Sequence, residues 1–177
     1  CEGLTGIRWA RPSLTFSKQV RIHWGDYPLW LEYHSGPALG AIWLVIPEIK
    51  VAFIGDCVTV NQPPFLAEAE IPAWIEALDL LLSPVYKNYL VVSGRGGVVD
   101  VETMREQRRF LKDVVKRLER LNERRAHAET TENMIANLLS SIDFHPQHEL
   151  QYSHRLRFGL RTYYTRHYLP SEKTNPE

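Results

Sequence analysis

AIWLVIPEIKVAFIGDC, residues 41–57, is the stretch that decides the fold. Ala41 to Ile46 is an apolar run too continuous for a strand with one wet face; Pro47-Glu-Ile-Lys50 turns the chain, and Val51 to Ile54 returns. The pattern predicts a hairpin with both strands buried on two sides. Such strands need a layer against each face, which favours a sandwich in which helices cover β-sheet. The second strand then surfaces on Gly55 and Asp56. An acid placed there has two readings. It can reach into a crevice at the sheet edge as a ligand for zinc or a hard metal ion, or it can accept backbone N–H bonds and cap its own turn.

Upstream, residues 1–13 lack periodicity and read as a loop. Val20 to Trp24 alternates, Gly25-Asp26 with Pro28 turns, and Leu29 to Tyr33 resumes, which predicts another hairpin. Downstream, a helix is expected from near Ala67, with Pro72 in its first turn, Trp74, Leu78 and Leu81 on one side, and Ser83-Pro84 as its stop. Tyr89 to Val92 reads as a short buried strand emptying into the loop Ser93-Gly-Arg-Gly-Gly97. Three more helices are expected over about Val101–Ala126, Glu132–Ser141 and Gln147–Tyr168, the last with tyrosines and leucines on the core and arginines in solvent. Residues 169–177 read as a frayed tail.

The chain has 177 residues, 44% hydrophobic and 24% charged, enough for a sizeable core. Its 21 Lys and Arg balance 21 Asp and Glu, so no overall field favours nucleic acid or anionic lipid, and neither is expected as a partner. No apolar run approaches the roughly 20 residues of a membrane span. Two cysteines, Cys1 and Cys57, make no disulfide framework, which fits a cytoplasmic protein. Cys57 reads either as a thiolate ligand or nucleophile, or as a small buried side chain.

The order of signals from Pro37 to Gly97 resembles the C-terminal half of a metallo-β-lactamase-fold protein. The matching features are Gly40, the strand to Ile46, the Pro47 turn, the strand ending in Gly55-Asp56, Pro63-Pro-Phe65, Trp74, and Ser93-Gly-Arg-Gly-Gly97. The resemblance implies an α/β fold, the C-terminal half of an αββα sandwich, spanning residues 1–126 and followed by a helical C-terminal extension over 127–177. It also implies zinc or another divalent metal, with Asp56 on the superfamily's bridging aspartate. The preceding ligand histidine falls on Pro37, so His34, three residues earlier, is the candidate substitute; it reads equally as a loop histidine bonded to backbone. The last ligand histidine falls on Arg95, which has no lone pair to give a metal and instead suits an anionic substrate group or an ion pair with Asp56.

The superfamily's His-x-His-x-Asp-His motif occurs nowhere among the seven histidines, and His145 and His148 flank Pro146 as capping or solvated residues. The resemblance therefore implies a metal-dependent hydrolase acting on an unknown small-molecule substrate, of which this chain is the C-terminal portion and by itself inactive, partnered by the missing N-terminal half or by a second copy. The alternative is a non-catalytic relative with an eroded metal site that binds an anionic ligand or a partner protein. A third reading, a phosphate-cradling loop at Gly94 to Gly97, lacks the required glycine and lysine spacing and ranks last.

Overall fold

The computed structural model describes residues 11–169. The elements are β1 (Gln19–Trp24), β2 (Tyr27–Tyr33), β3 (Ile42–Ile46), β4 (Val51–Phe53), α1 (Ile71–Leu81), β5 (Leu90–Ser93), β6 (Gly97–Val99), α2 (Val101–Glu123), α3 (Ile135–Leu139) and α4 (Glu149–Tyr168). Cys1, most of the loop expected over 1–13, and nearly all of the expected tail lie outside the described residues.

The six strands form one sheet in sequence order. All neighbours pair antiparallel except β4 and β5, which run parallel because α1 carries the chain across between them. Pro72 sits in the first turn of α1, where a missing N–H costs no hydrogen bond. The side chain of Asp100 caps α2 by accepting from the Thr103 N–H at 2.8 Å. The third expected helix is divided: Ala128–Met134 is a tighter 3-10 stretch, and only Ile135–Leu139 is α-helical. His145 accepts from the Gln147 N–H before α4 and so acts as a cap.

Register places alternate side chains on opposite faces of the sheet. Trp43, Val45, Ala52 and Val91 point to the helices and are buried with Trp74, Leu78, Leu111, Leu118, Leu156 and Tyr164 in a single core. The opposite face carries Leu31, Leu44, Phe53, Val92 and Val98 in one row across β2 to β6, with Ile46, Val51 and Leu90 beside it. Phe53, Leu90 and Val98 are 45%, 49% and 63% exposed. The hairpin expected to be buried on two sides is therefore covered on one. The apolar character of both faces was read correctly, but the described residues supply a layer for only one of them.

Residues 128–168 pack onto α2 and onto residues 62–70, and α4 buries Tyr152, Leu156, Leu160, Tyr163 and Tyr164 as its pattern predicts. Its arginines are not simply solvated. Arg157 and Arg161 pair with Glu132 and Glu129, and Arg166 reaches the Ala67 carbonyl at 2.7 Å.

Candidate functional site

The site is built where β4 and β5 end side by side. Gly55 takes φ +55°, a left-handed conformation that other residues adopt at a cost, and turns the chain directly out of β4. This puts Asp56 in a single turn of 3-10 helix over the end of β5. Ser93 closes β5: its hydroxyl donates to the Val58 carbonyl and accepts from the Arg95 N–H at 3.0 Å. Thr59 and Arg95 form a further parallel bridge beyond the named strands. Gly96 allows this approach, because a Cβ there would lie 2.1 Å from Val60 Cγ2. The Gly94–Gly97 segment is thus a tight connection into β6, which pairs antiparallel with β5, and not the phosphate-type loop running from strand to helix.

Asp56 and Arg95 meet across this junction. Arg95 Nε donates to Asp56 Oδ2 at 3.0 Å, with both side chains half-exposed. Asp56 accepts no backbone N–H among the described residues, so its turn is not held by its own carboxylate. Only Nε of Arg95 is engaged by another side chain there, which leaves the outer edge of its guanidinium fork free. Arg95 also lies over the Phe65 ring at 4.7 Å, and Arg155, from α4, lies over the same ring at 4.1 Å.

Arg155 is anchored by Gln62 Oε1 at 2.9 Å and the Pro63 carbonyl at 3.0 Å, and Gln62 in turn donates to the Arg95 carbonyl. Burial lowers the Arg155 pKa; Tyr152 and Asp56 offset this, and the neighbouring Arg95 adds to it. Two guanidinium groups therefore flank one ring, and only Arg95 is paired with the carboxylate. Sequence reasoning missed Arg155 and Gln62, because 93 residues separate them and no local pattern links a loop glutamine to a helix arginine.

His34 lies elsewhere in this arrangement. Its Nε2 is 3.2 Å from Glu32 Oε2, and its ring stacks on Trp43 at 3.8 Å. Tyr86 also donates to Glu32, whose carboxyl is held below the usual range chiefly by the His34 hydrogen bond. Beyond His34, Gly36 is buried against Trp74, and its carbonyl accepts from the Glu70 N–H. Cys57 is buried, and burial pushes its thiol up to about 12, so it is a packing residue rather than a ready thiolate. Among the described residues no three His, Cys, Asp or Glu side chains form a metal-holding group. With Asp56 bonded to a cation and His34 to Glu32, the donors present do not fit a metal ion.

Comparison with solved structures places this sheet and its helices. A metallo-β-lactamase from Pontibacter korlensis superposes with a TM-score of 0.51 at 20% identity, over 58% of this chain and 50% of that one. The fold is part of a metallo-β-lactamase fold. A stereoselective inverting sec-alkylsulfatase from a Pseudomonas species superposes with a TM-score of 0.59 at 13% identity, over 86% of this chain and 26% of that one. This metallo-β-lactamase-like chain thus spans about half the length of the Pontibacter protein. No protein-family model and no curated protein matches its sequence. None of the helices among its described residues is long and apolar enough to cross a membrane.

Proposed function

We propose that this chain is the C-terminal half of a metallo-β-lactamase-like protein whose strand-end site binds an oxyanion through Arg95 and Arg155. The observation that carries the reading is the 3.0 Å pair between Arg95 Nε and Asp56 Oδ2. Asp56 aims the guanidinium and leaves its outer N–H groups for a carboxylate, sulfate or phosphate, which such a fork binds in bidentate fashion. Arg155, with no carboxylate partner of its own among the described residues, supplies the second positive charge.

The open apolar face belongs to the same proposal. It is the inner surface of a sandwich, closed by the remaining half of the protein or by a second copy. Metal-dependent hydrolysis is the second reading, favoured by Asp56 Oδ1, which has no hydrogen-bond partner among the described residues. It requires histidines from outside these residues and release of Asp56 from Arg95.

Titration of the full-length protein with inorganic phosphate, alongside elemental analysis, separates the two. Anion binding predicts that Arg95→Gln weakens phosphate about tenfold or more, as expected for loss of a charged hydrogen-bonding partner, and that zinc or iron stays below about a tenth of an equivalent. Near-stoichiometric metal that is lost in Asp56→Ala would establish the hydrolase reading instead.

A further inference from the structure

The junction that holds Arg95 and Arg155 offers a ligand several donors and one acceptor. Asp56 takes only Nε of Arg95, at 3.0 Å, and the two terminal amino groups of Arg95 meet no acceptor among the described residues. Arg155 makes both of its anchoring bonds, to Gln62 Oε1 at 2.9 Å and to the Pro63 carbonyl at 3.0 Å, through Nη1 alone. Its Nε and Nη2 have no partner among the described residues. Every guanidinium nitrogen can only donate.

The acceptor is Oδ1 of Asp56, the carboxylate oxygen that Arg95 leaves unbonded. Gly94 gives it room: a Cβ on that glycine would stand 3.3 Å from Oδ1, tighter than a side chain comfortably accepts, and the bare backbone keeps the oxygen open. Asp56 is half-exposed, so an ion seated on the terminal amino groups of Arg95 has this carboxylate beside it. The charges of Asp56 and Arg95 both act on Arg155, so the three form one electrostatic unit.

A carboxylate next to a bound anion acts in two directions. It repels an ion made only of acceptors, such as sulfate or a simple carboxylate, and it accepts a strong hydrogen bond from an ion that carries a proton. Hydrogen phosphate brings three acceptor oxygens and one O–H, the complement of the groups on offer. Resting on the reading that Arg95 and Arg155 bind an oxyanion, we propose that Asp56 determines the specificity of that site and selects hydrogen phosphate. The phosphate O–H donates to Oδ1 while its other oxygens accept from the two guanidinium groups. The Phe65 ring, over which both arginines lie, keeps the pair together for one tetrahedral ion.

At about pH 8 phosphate and sulfate are both tetrahedral dianions of nearly equal size, and phosphate alone carries a proton. Titrated into the full-length protein at that pH and constant ionic strength, phosphate is expected to bind about tenfold or more tighter than sulfate, the effect of one hydrogen bond to a charged group. The Asp56 carboxyl carbon signal should shift further at saturation with phosphate than with sulfate. In Asp56→Asn the amide oxygen has to take over the bond from Arg95 Nε, so a donor replaces Oδ1. Sulfate should then gain, and the preference should shrink to within about threefold. Where that variant fails to fold, the two titrations and the carbon signal of the unaltered protein still decide. Equal binding of sulfate, an equal carbon shift with both ions, or a preference unchanged in Asp56→Asn would each overturn selection by Asp56 and leave the two-arginine site standing. Failure of both ions to bind would remove the site itself, and the selection with it.

Discussion

The two faces of the sheet are nearly equal in composition and opposite in circumstance. On one, Trp43, Val45, Ala52 and Val91 lie under helices and exclude water; on the other, Leu44, Phe53, Val92 and Val98 form an equally apolar row with no cover among the described residues. Side-chain type alone therefore does not say where the core is. A contiguous exposed apolar sheet face is uncommon on a monomer, and the proposed closing of the sandwich would cover it. Its presence agrees with a chain that spans half the length of the Pontibacter protein sharing its fold.

The contrast can be broken most sharply at its two extremes. Trp74 is fully buried and its indole donates to the Cys57 carbonyl at 2.8 Å, so Trp74→Ala should cost this chain about 3–5 kcal/mol in urea unfolding, as large core truncations do. Phe53→Ala, on the open face, should cost less than about 1 kcal/mol in the same chain. In the full-length protein, where the proposed sandwich is closed, the cost at Phe53 should rise toward the core value. Equal small costs in both settings would mean that this face stays open.

An intermediate effect is expected at the junction that builds the site. Gly96→Ala forces a methyl group against Val60, and overpacking of this kind costs about 1–3 kcal/mol. Thermal melting would register the loss, and phosphate binding should fall with it, because the same contact positions Arg95. Unchanged binding would show that Arg95 is held by Asp56 alone.

The smallest effect concerns the edge of the covered face, where Glu32 accepts from His34 and Tyr86. Its carboxyl titrates lower when folded than when unfolded, so the unfolded chain binds more protons in acid. The stabilisation is present above the ordinary value of 4.5 and is lost as pH falls below it. Glu32→Gln should flatten that acid limb of the stability profile, measured by denaturation from neutral pH downwards. An unchanged limb would assign it to other carboxylates.

Much of the molecule follows from short-range pattern. The alternation in Val20–Trp24, the turn at Pro47–Lys50, the spacing of Trp74, Leu78 and Leu81, and the abrupt stop at Gly55-Asp56 each specify an element that the structure contains. Strand β6 escaped notice because Gly97 to Val99 is too short to show a period and follows a glycine-rich stretch. Asp56 and Arg95 were both visible as candidates, and the ion pair was one of the arrangements their chemistry allowed.

Periodicity and turn chemistry are local properties, so they could be read from residues close together in the chain, and with them came the order of strands and helices and the two apolar faces. Which face is covered, the seating of Arg155 over Phe65 ninety residues away in sequence, and the turning of His34 toward Glu32 were decided only by the packed fold. These depend on the distance and direction between side chains whose separation along the chain carries no information about their separation in space.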